Sequence, residues 1–337
     1  MSAPRLFRPR QLALGLLFGL SLAAIAHGES NLLNVSYDVS RELYQEINPA
    51  FESDWKARGN PKVKVNQSHA GSSKQAQAVA AGLEGDVITM NQSPDIDFLA
   101  DRGLVAGDWR DRFPHQATPY TTTSVFLVRK GNPKNIRDWD DLARDGIQVI
   151  VPNPKTSGNG RYSYLAAWGY ALESSGSETA AREFVTRLLA NVPVLDGGGR
   201  GATTTFTQRD VGDVLVTFEN EAILIGKELG ADKFDVVYPS LSIDASAPVA
   251  VVEKVVAKRG TGALAKAYLD FLYSAEGQDI IARHFFRPRD EAVLARYAGQ
   301  FPTIRTFQVE ETLGSWADVN KKHFADDGIY DQIVTGQ

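Results

Sequence analysis

The sequence predicts an α/β architecture with mostly parallel sheets flanked by helices, and three observations carry that prediction. Short apolar or alternating runs recur along the chain, each closed by a turn-forming loop. Helical patterns lie between them, and strand-helix alternation of this kind favours parallel sheets. The length of 337 residues is that of two domains rather than one.

In order along the chain, the expected strands are Leu32–Tyr37, Val63–Gln67, Asp86–Met90, Ser124–Arg129, Gln148–Val151 and Val214–Thr217. Between the first two, Leu43, Ile47, Phe51 and Trp55 recur every four residues and form one helical stripe, with a kink expected at Pro49. Leu264, Tyr268, Phe271 and Leu272 make another stripe near the other end. No internal repeat and no low-complexity linker interrupts the pattern.

Hydrophobic content of 43% and charged content of 23% are those of a globular protein with a sizeable core. No basic block suggests nucleic acid. The first residues read as a signal peptide over 1–28: a basic stretch ends at Arg10, and an apolar run extends from Leu12 to Ala26. Small residues close it, so cleavage is expected after Ala26 or Gly28. The run is shorter than the ~20 residues that a membrane span needs. Arg5, Arg8 and Arg10 are the only charges before Glu29, so the remainder is three charges more negative than the −5 of the whole. Such a protein must bind an anion with local donors, not with a general positive field. Cysteine is absent, which removes both a disulfide framework and the anchor point of a bacterial lipoprotein. Together these features point to the free periplasm of a Gram-negative bacterium. The sequons at Asn34, Asn66 and Asn91 would matter only in a eukaryotic secreted protein.

The loops after the strands are more informative than the strands themselves. Asp38 comes directly after the first, and His69-Ala70-Gly71-Ser72-Ser73 after the second. Pro154-Lys155-Thr156-Ser157-Gly158-Asn159-Gly160 comes soon after the fifth, and Gly197-Gly198-Gly199-Arg200-Gly201 after the short run Val192–Leu195. Ligands of open α/β sheets collect beyond the carboxyl ends of the strands. Two of these loops place small residues just before a strong helix former, where free N–H groups and a partial positive charge favour an anion. A plain serine cap explains either loop alone; two such loops and a third rich in glycine favour anion binding. Gly197-x-Gly199-x-x-Ala202 resembles a dinucleotide fingerprint but lacks the unit around it. The five histidines show no metal-ligand spacing, and no G-x-S-x-G elbow surrounds Ser72 or Ser157. Neither catalytic residues, a metal nor a cofactor is expected.

The same segments carry a family resemblance. Leu33-Asn34-Val35-Ser36-Tyr37-Asp38, Gln67-Ser68-His69-Ala70-Gly71-Ser72-Ser73-Lys74-Gln75 and Asn153 through Arg161 resemble the signature segments of the prokaryotic sulfate-binding protein family. Phe126 through Lys134 and Gly198-Gly199-Arg200-Gly201-Ala202-Thr203 extend the likeness over the mature chain. Asn60 and Pro61 depart from it, standing where a glycine and a polar residue are usual. The resemblance implies a two-lobe periplasmic-binding-protein fold of type II, with the anion sealed in the interdomain cleft. It implies one lobe over 29–111 and 220–290, a second over 112–219, and a C-terminal segment over 291–337 packing across both.

Carried over by motif, it implies backbone N–H donors at Asp38, Ser72, Gly158, Asn159 and Gly199, and the hydroxyl of Ser157. Asn159 stands where sulfate-specific members have glycine, and Phe218 where they have a tryptophan whose indole N–H donates to the anion. Phe218 and the two serine loops look like the thiosulfate-binding branch. Lys155, Arg161 and Arg200 are expected to brace loops or stay solvated, because that family holds its anion with uncharged groups. The implied protein is a monomer that catalyses nothing and meets a membrane ABC permease transiently. Other readings are a binder of molybdate or phosphate and, from a different class, an exported hydrolase using Ser72 or Ser157.

Overall fold

Two sheets form where the short apolar runs fall. The computed structural model describes Met1, residues 30–229 and residues 232–336. The expected leader, Met1 aside, lies outside the described residues. Among those residues the strands are β1 (Ser30–Tyr37), β2 (Val63–Ala70), β3 (Val87–Thr89), β4 (Tyr120–Arg129), β5 (Val149–Pro152) and β6 (Leu195–Asp196). They continue with β7 (Val214–Phe218), β8 (Phe234–Val237), β9 (Ser242–Ala247), β10 (Val249–Val251), β11 (Arg287–Pro288) and β12 (Thr306–Phe307). The first sheet has the order β10-β3-β1-β2, with β1 parallel to both β2 and β3. The second has the order β12-β9-β4-β7-β5-β6, with β8 and β11 also paired to β4. Within it β5 is parallel to β6 and β7, and β4 is antiparallel to β7, β8 and β9.

Each of the six expected runs is a strand. The first stripe is one helix, Arg41–Ala57, that continues through Pro49 and buries Leu43, Ile47 and Phe51. The second stripe is the helix Gly262–Phe271. β4 shows why the second sheet is covered on both faces. Phe126 and Val128 point into the main core with Trp139, while Val125 and Leu127 pack with Ile150, Ala202, Phe206 and Leu215 on the other side.

The chain changes sheets between β3 and β4, between β9 and β10, and again before β11. The first change comes after a tight left-handed turn, with φ of 54°, 54° and 56° at His115, Gln116 and Ala117. At the second, β8 and β9 pair with β4, so residues 234–247 belong to the second sheet, and β10 pairs with β3 in the first. β4 begins at Tyr120. In the C-terminal segment β12 pairs with β9, and the short helix Trp316–Val319 touches the first-lobe helix Ser93–Ala100. No helix among the described residues is long and apolar enough to cross a membrane.

Arg200 ties the lobes together. From the second lobe its guanidinium takes both carboxylate oxygens of Glu42, at 3.0 and 2.8 Å, on the first-lobe helix 41–57. It also reaches Glu221 at 3.2 Å, a residue only 1% exposed, which accepts the Thr203 hydroxyl at 2.7 Å. Burial pushes the Glu221 carboxyl up to about 7 from 4.5, against the opposing pull of Arg200 and Thr203. Between those values the folded chain retains a proton that the unfolded chain has lost, so this group makes stability fall as pH rises from about 4.5 to about 7. Glutamine cannot ionise. The unfolding free energy of Glu221→Gln relative to wild type should therefore increase across that window, by on the order of 1–3 kcal/mol. Urea unfolding of both proteins at pH 5 and pH 8 measures it, and a pH-independent difference would rule out titration of Glu221.

Candidate anion-binding site

Because β1, β2 and β3 run parallel, their carboxyl ends share one edge of the first sheet and deliver Asp38, Gly71-Ser72 and Asn91 to it. The parallel set β5, β6 and β7 does the same in the second sheet for Ser157, Gly197–Gly199 and Phe218. The two edges face each other and touch.

Three helices begin at this meeting. The helix Ser72–Ala80 starts directly after Gly71, and its first internal bond is made by Gln75 N–H to the Gly71 carbonyl. The N–H groups of Ser72 and Ser73 thus have no acceptor inside their own helix. The helix Gly158–Ser175 is capped by Ser157, whose Oγ accepts the Gly160 N–H at 3.3 Å while its carbonyl takes that of Arg161. The N–H groups of Gly158 and Asn159 are left over, and the Ser157 hydroxyl still has its own hydrogen to donate. The helix Gly199–Thr207 places Gly199 at its first position.

Glycine is required where the lobes approach most closely. A Cβ at Gly71 would lie 2.6 Å from the Thr156 carbonyl oxygen and 2.9 Å from that of Gly197, both in the other lobe. One at Gly198 would lie 2.5 Å from Asp38 Oδ2, and one at Gly199 2.9 Å from both Asn159 Nδ2 and Val39 Cγ1. The sequence-derived residues Asp38, Ser72, Ser157, Gly158, Asn159 and Gly199 are brought together in this way, and all are buried. Phe218 joins them at one remove. It ends β7 fully buried, with its ring centroid 6.0 Å from that of Tyr162, one helical turn beyond Gly158. Its neighbour Thr217 accepts the Asn159 side-chain amide at 3.1 Å.

Asp38, Lys155, Arg161 and Arg200 are each engaged with other groups of the protein. Asp38 Oδ2 accepts the Arg200 N–H at 3.1 Å, which fixes the start of helix 199–207 across the lobe boundary. Burial raises the Asp38 carboxyl above the ordinary carboxylate range, and Arg200 opposes this. Lys155 reaches Asp331 at 2.7 Å and the carbonyl of Phe324 at 3.0 Å; Arg161 donates to the Pro154 carbonyl at 3.0 Å and to Asn320 at 3.3 Å. All three cations thus brace loops, as expected. Ser72 Oγ donates to Asp95 Oδ2 at 2.5 Å, and Ser73 Oγ to Asp95 Oδ1 at 2.9 Å.

Sequence reading missed Asn91, Asp95, Asn220 and Glu221. Asn220 donates its amide to the Val39 carbonyl at 3.2 Å, a second tie between the lobes. Asn91 stands after an expected strand, in the short link Asn91-Gln92, and Asp95 lies in the first turn of the helix Ser93–Ala100 that follows. That strand-loop-helix pattern was the available signal; for Glu221 there was none.

Comparison with known proteins agrees with this architecture. Residues 33–287 match the family described as bacterial extracellular solute-binding protein. The chain is 57% identical to a thiosulfate-binding protein of Pseudomonas aeruginosa, over 94% of this chain and 96% of that protein. It is 50% identical to a sulfate-binding protein of Escherichia coli K12, over 95% and 97%. Among solved structures, the sulfate-binding protein SubI from Mycobacterium tuberculosis superposes with a TM-score of 0.80 at 34% identity, covering 88% of this chain and all of that one. These relatives are solute-binding proteins, and with matches of this length this chain belongs to the bacterial extracellular solute-binding protein family.

Proposed function

We propose that this chain is an exported periplasmic protein that seals sulfate or thiosulfate between its lobes and delivers it to a membrane ABC permease, as a monomer and without catalysis. The observation that carries this reading is the convergence of three helix starts, from two lobes, on one buried meeting point. A buried dianion is tolerated only when its oxygens find donors, and free backbone N–H groups supply them without a counter-ion. Asp38, Ser72, Gly158, Asn159 and Gly199 donate from the backbone and Ser157 from its hydroxyl. The hydroxyls of Ser72 and Ser157 are engaged by Asp95 and by the Gly160 N–H, and the His69 ring lies 3.0 Å from the Tyr37 carbonyl rather than on either serine. That arrangement suits binding and places no histidine on either serine. The relatives named for thiosulfate and for sulfate support the ligand class.

Calorimetric titration of dialysed protein should give one-to-one binding of sulfate or thiosulfate and much weaker binding of phosphate. At neutral pH phosphate keeps a proton, which a site of donors leaves unpaired. Ser157→Ala should weaken the sulfur anions by ~1.5–3 kcal/mol, the worth of a hydrogen bond to charge. Ester hydrolysis that disappears in Ser72→Ala or Ser157→Ala would replace this reading with an enzymatic one.

Gly71→Ala should hold the lobes apart, because its methyl would meet backbone carbonyls that cannot swing away. We expect at least a tenfold loss of anion affinity, about 1.4 kcal/mol, with the melting temperature of the anion-free protein unchanged. An unchanged affinity would mean that closure does not bring Gly71 against Thr156 and Gly197.

Phe218 is assigned to the wall that tunes which sulfur anion is preferred. Thiosulfate replaces one oxygen by a larger, softer sulfur that accepts hydrogen bonds poorly, and an apolar ring packs against it without an unsatisfied donor. Phe218→Trp should raise affinity for sulfate relative to thiosulfate by up to ~1.5–3 kcal/mol. The ratio of the two dissociation constants measures this, and an unchanged ratio in a folded mutant would return Phe218 to the core.

A further inference from the structure

Asn91 is none of the donors assigned to the anion, yet it stands at the centre of the lobe contact. It leaves the carboxyl end of β3 on the same edge as Asp38 and Ser72, and it is 4% exposed. Its backbone N–H donates to Ser72 Oγ at 3.4 Å, so the main chain is held. Its side-chain Oδ1 is buried and finds no hydrogen-bond partner among the described residues. A buried acceptor left without a donor is costly, so this oxygen calls for an explanation.

The carboxamide lies against Gly158 of the opposite lobe. A Cβ on Gly158 would overlap Oδ1 and would come within 2.6 Å of Cγ and 3.0 Å of Nδ2. Gly158 is the first residue of helix 158–175, at the start of which its own N–H lacks an intrahelical acceptor. The unsatisfied amide of one lobe and the free N–H of the other therefore meet at one place. Gln92 also has an unpartnered Oε1, but its Nε2 is fixed by Ser73 Oγ at 3.0 Å and Asp95 Oδ2 at 2.8 Å. Turning Gln92 would break both bonds. A half-turn of Asn91 about Cβ–Cγ exchanges its oxygen and nitrogen with little change of shape. Sulfate and thiosulfate are dianions that offer only acceptors, so a carbonyl facing one is repelled and an NH2 facing one is bonded.

We propose that Asn91 is a ligand-contacting residue, which donates an Nδ2–H to the anion from the first lobe beside the Gly158 donor of the second. This rests on the sulfate or thiosulfate reading. The side chain would thereby help close the lobes, since its donor completes the site only when Gly158 is brought against it.

Asn91→Leu keeps the volume and removes the donor; Asn91→Asp keeps the shape and adds a negative charge. Titrated with sulfate and thiosulfate, the full chain carrying Asn91→Leu should lose about ten- to one-hundredfold in affinity. Asn91→Asp should lose more. Anion-free Asn91→Leu should melt no lower than wild type, which separates lost contact from lost packing. In the wild-type protein, the assigned Asn91 side-chain amide resonances should shift on saturation with sulfate, a readout that needs no variant. Binding by Asn91→Leu within about twofold of wild type, static amide resonances, or a loss confined to phosphate (a carbonyl that stays inward and accepts the phosphate proton) would each overturn the proposal. Wild-type protein that binds neither sulfur anion would overturn the function reading as well, whereas normal wild-type binding with an unaffected Asn91→Leu overturns this inference alone.

Discussion

Under the proposed function, a doubly charged anion removed from water sets the terms for the rest of this molecule, because each of its oxygens must be given a donor at short range. The chain is negative overall, so those donors are local. Backbone N–H groups at helix starts are the least demanding supply: they are unsatisfied already, they point along the helix axis, and they carry partial positive charge. Collecting several around one ion requires several helices to begin at one place. Parallel strands do this, since their carboxyl ends share an edge, and two sheets set edge to edge double the number. A Cβ is then excluded at Gly71 by backbone carbonyls of the other lobe, and at Gly158, Gly198 and Gly199 it would press on neighbouring side chains.

Much of that logic is visible in the linear sequence because it is local. Period-two runs mark the strands, and serine or glycine ahead of an alanine-rich or aromatic-rich run marks a helix start, so Ser72, Ser157 and Gly158 could be read directly. What could not be read depends on pairing between distant residues. β8 and β9 look like any other short strands, and nothing in them says that they align with β4 more than a hundred positions earlier rather than with the first sheet. The Arg200–Glu42 tie is similar, for its partners are 158 residues apart. Asn91 is a different case. Its loop has the same form as the recognised ones, but it offers an amide where serine and glycine were the signal.

The placement of the cations bears on selectivity. Arg200 and Arg161 stand in the first turns of their helices and Lys155 in the loop before one, and each is turned into contacts with protein carboxylates or carbonyls. An arginine on the ligand would add strong charge-assisted bonds, but the attraction is to net charge and is nearly as large for a protonated oxyanion as for a bare one. A neutral donor is more discriminating, because it is wasted on an oxygen that carries a hydrogen and leaves that hydrogen unpaired. Holding Arg200 between Glu42 and Glu221 keeps its positive charge out of the site and uses it to join the lobes. Through Arg200 N–H and Asp38 Oδ2, the same residue sets the angle at which helix 199–207 presents Gly199. In the proposed site the ion pair would act by orienting neutral dipoles rather than by meeting the anion itself.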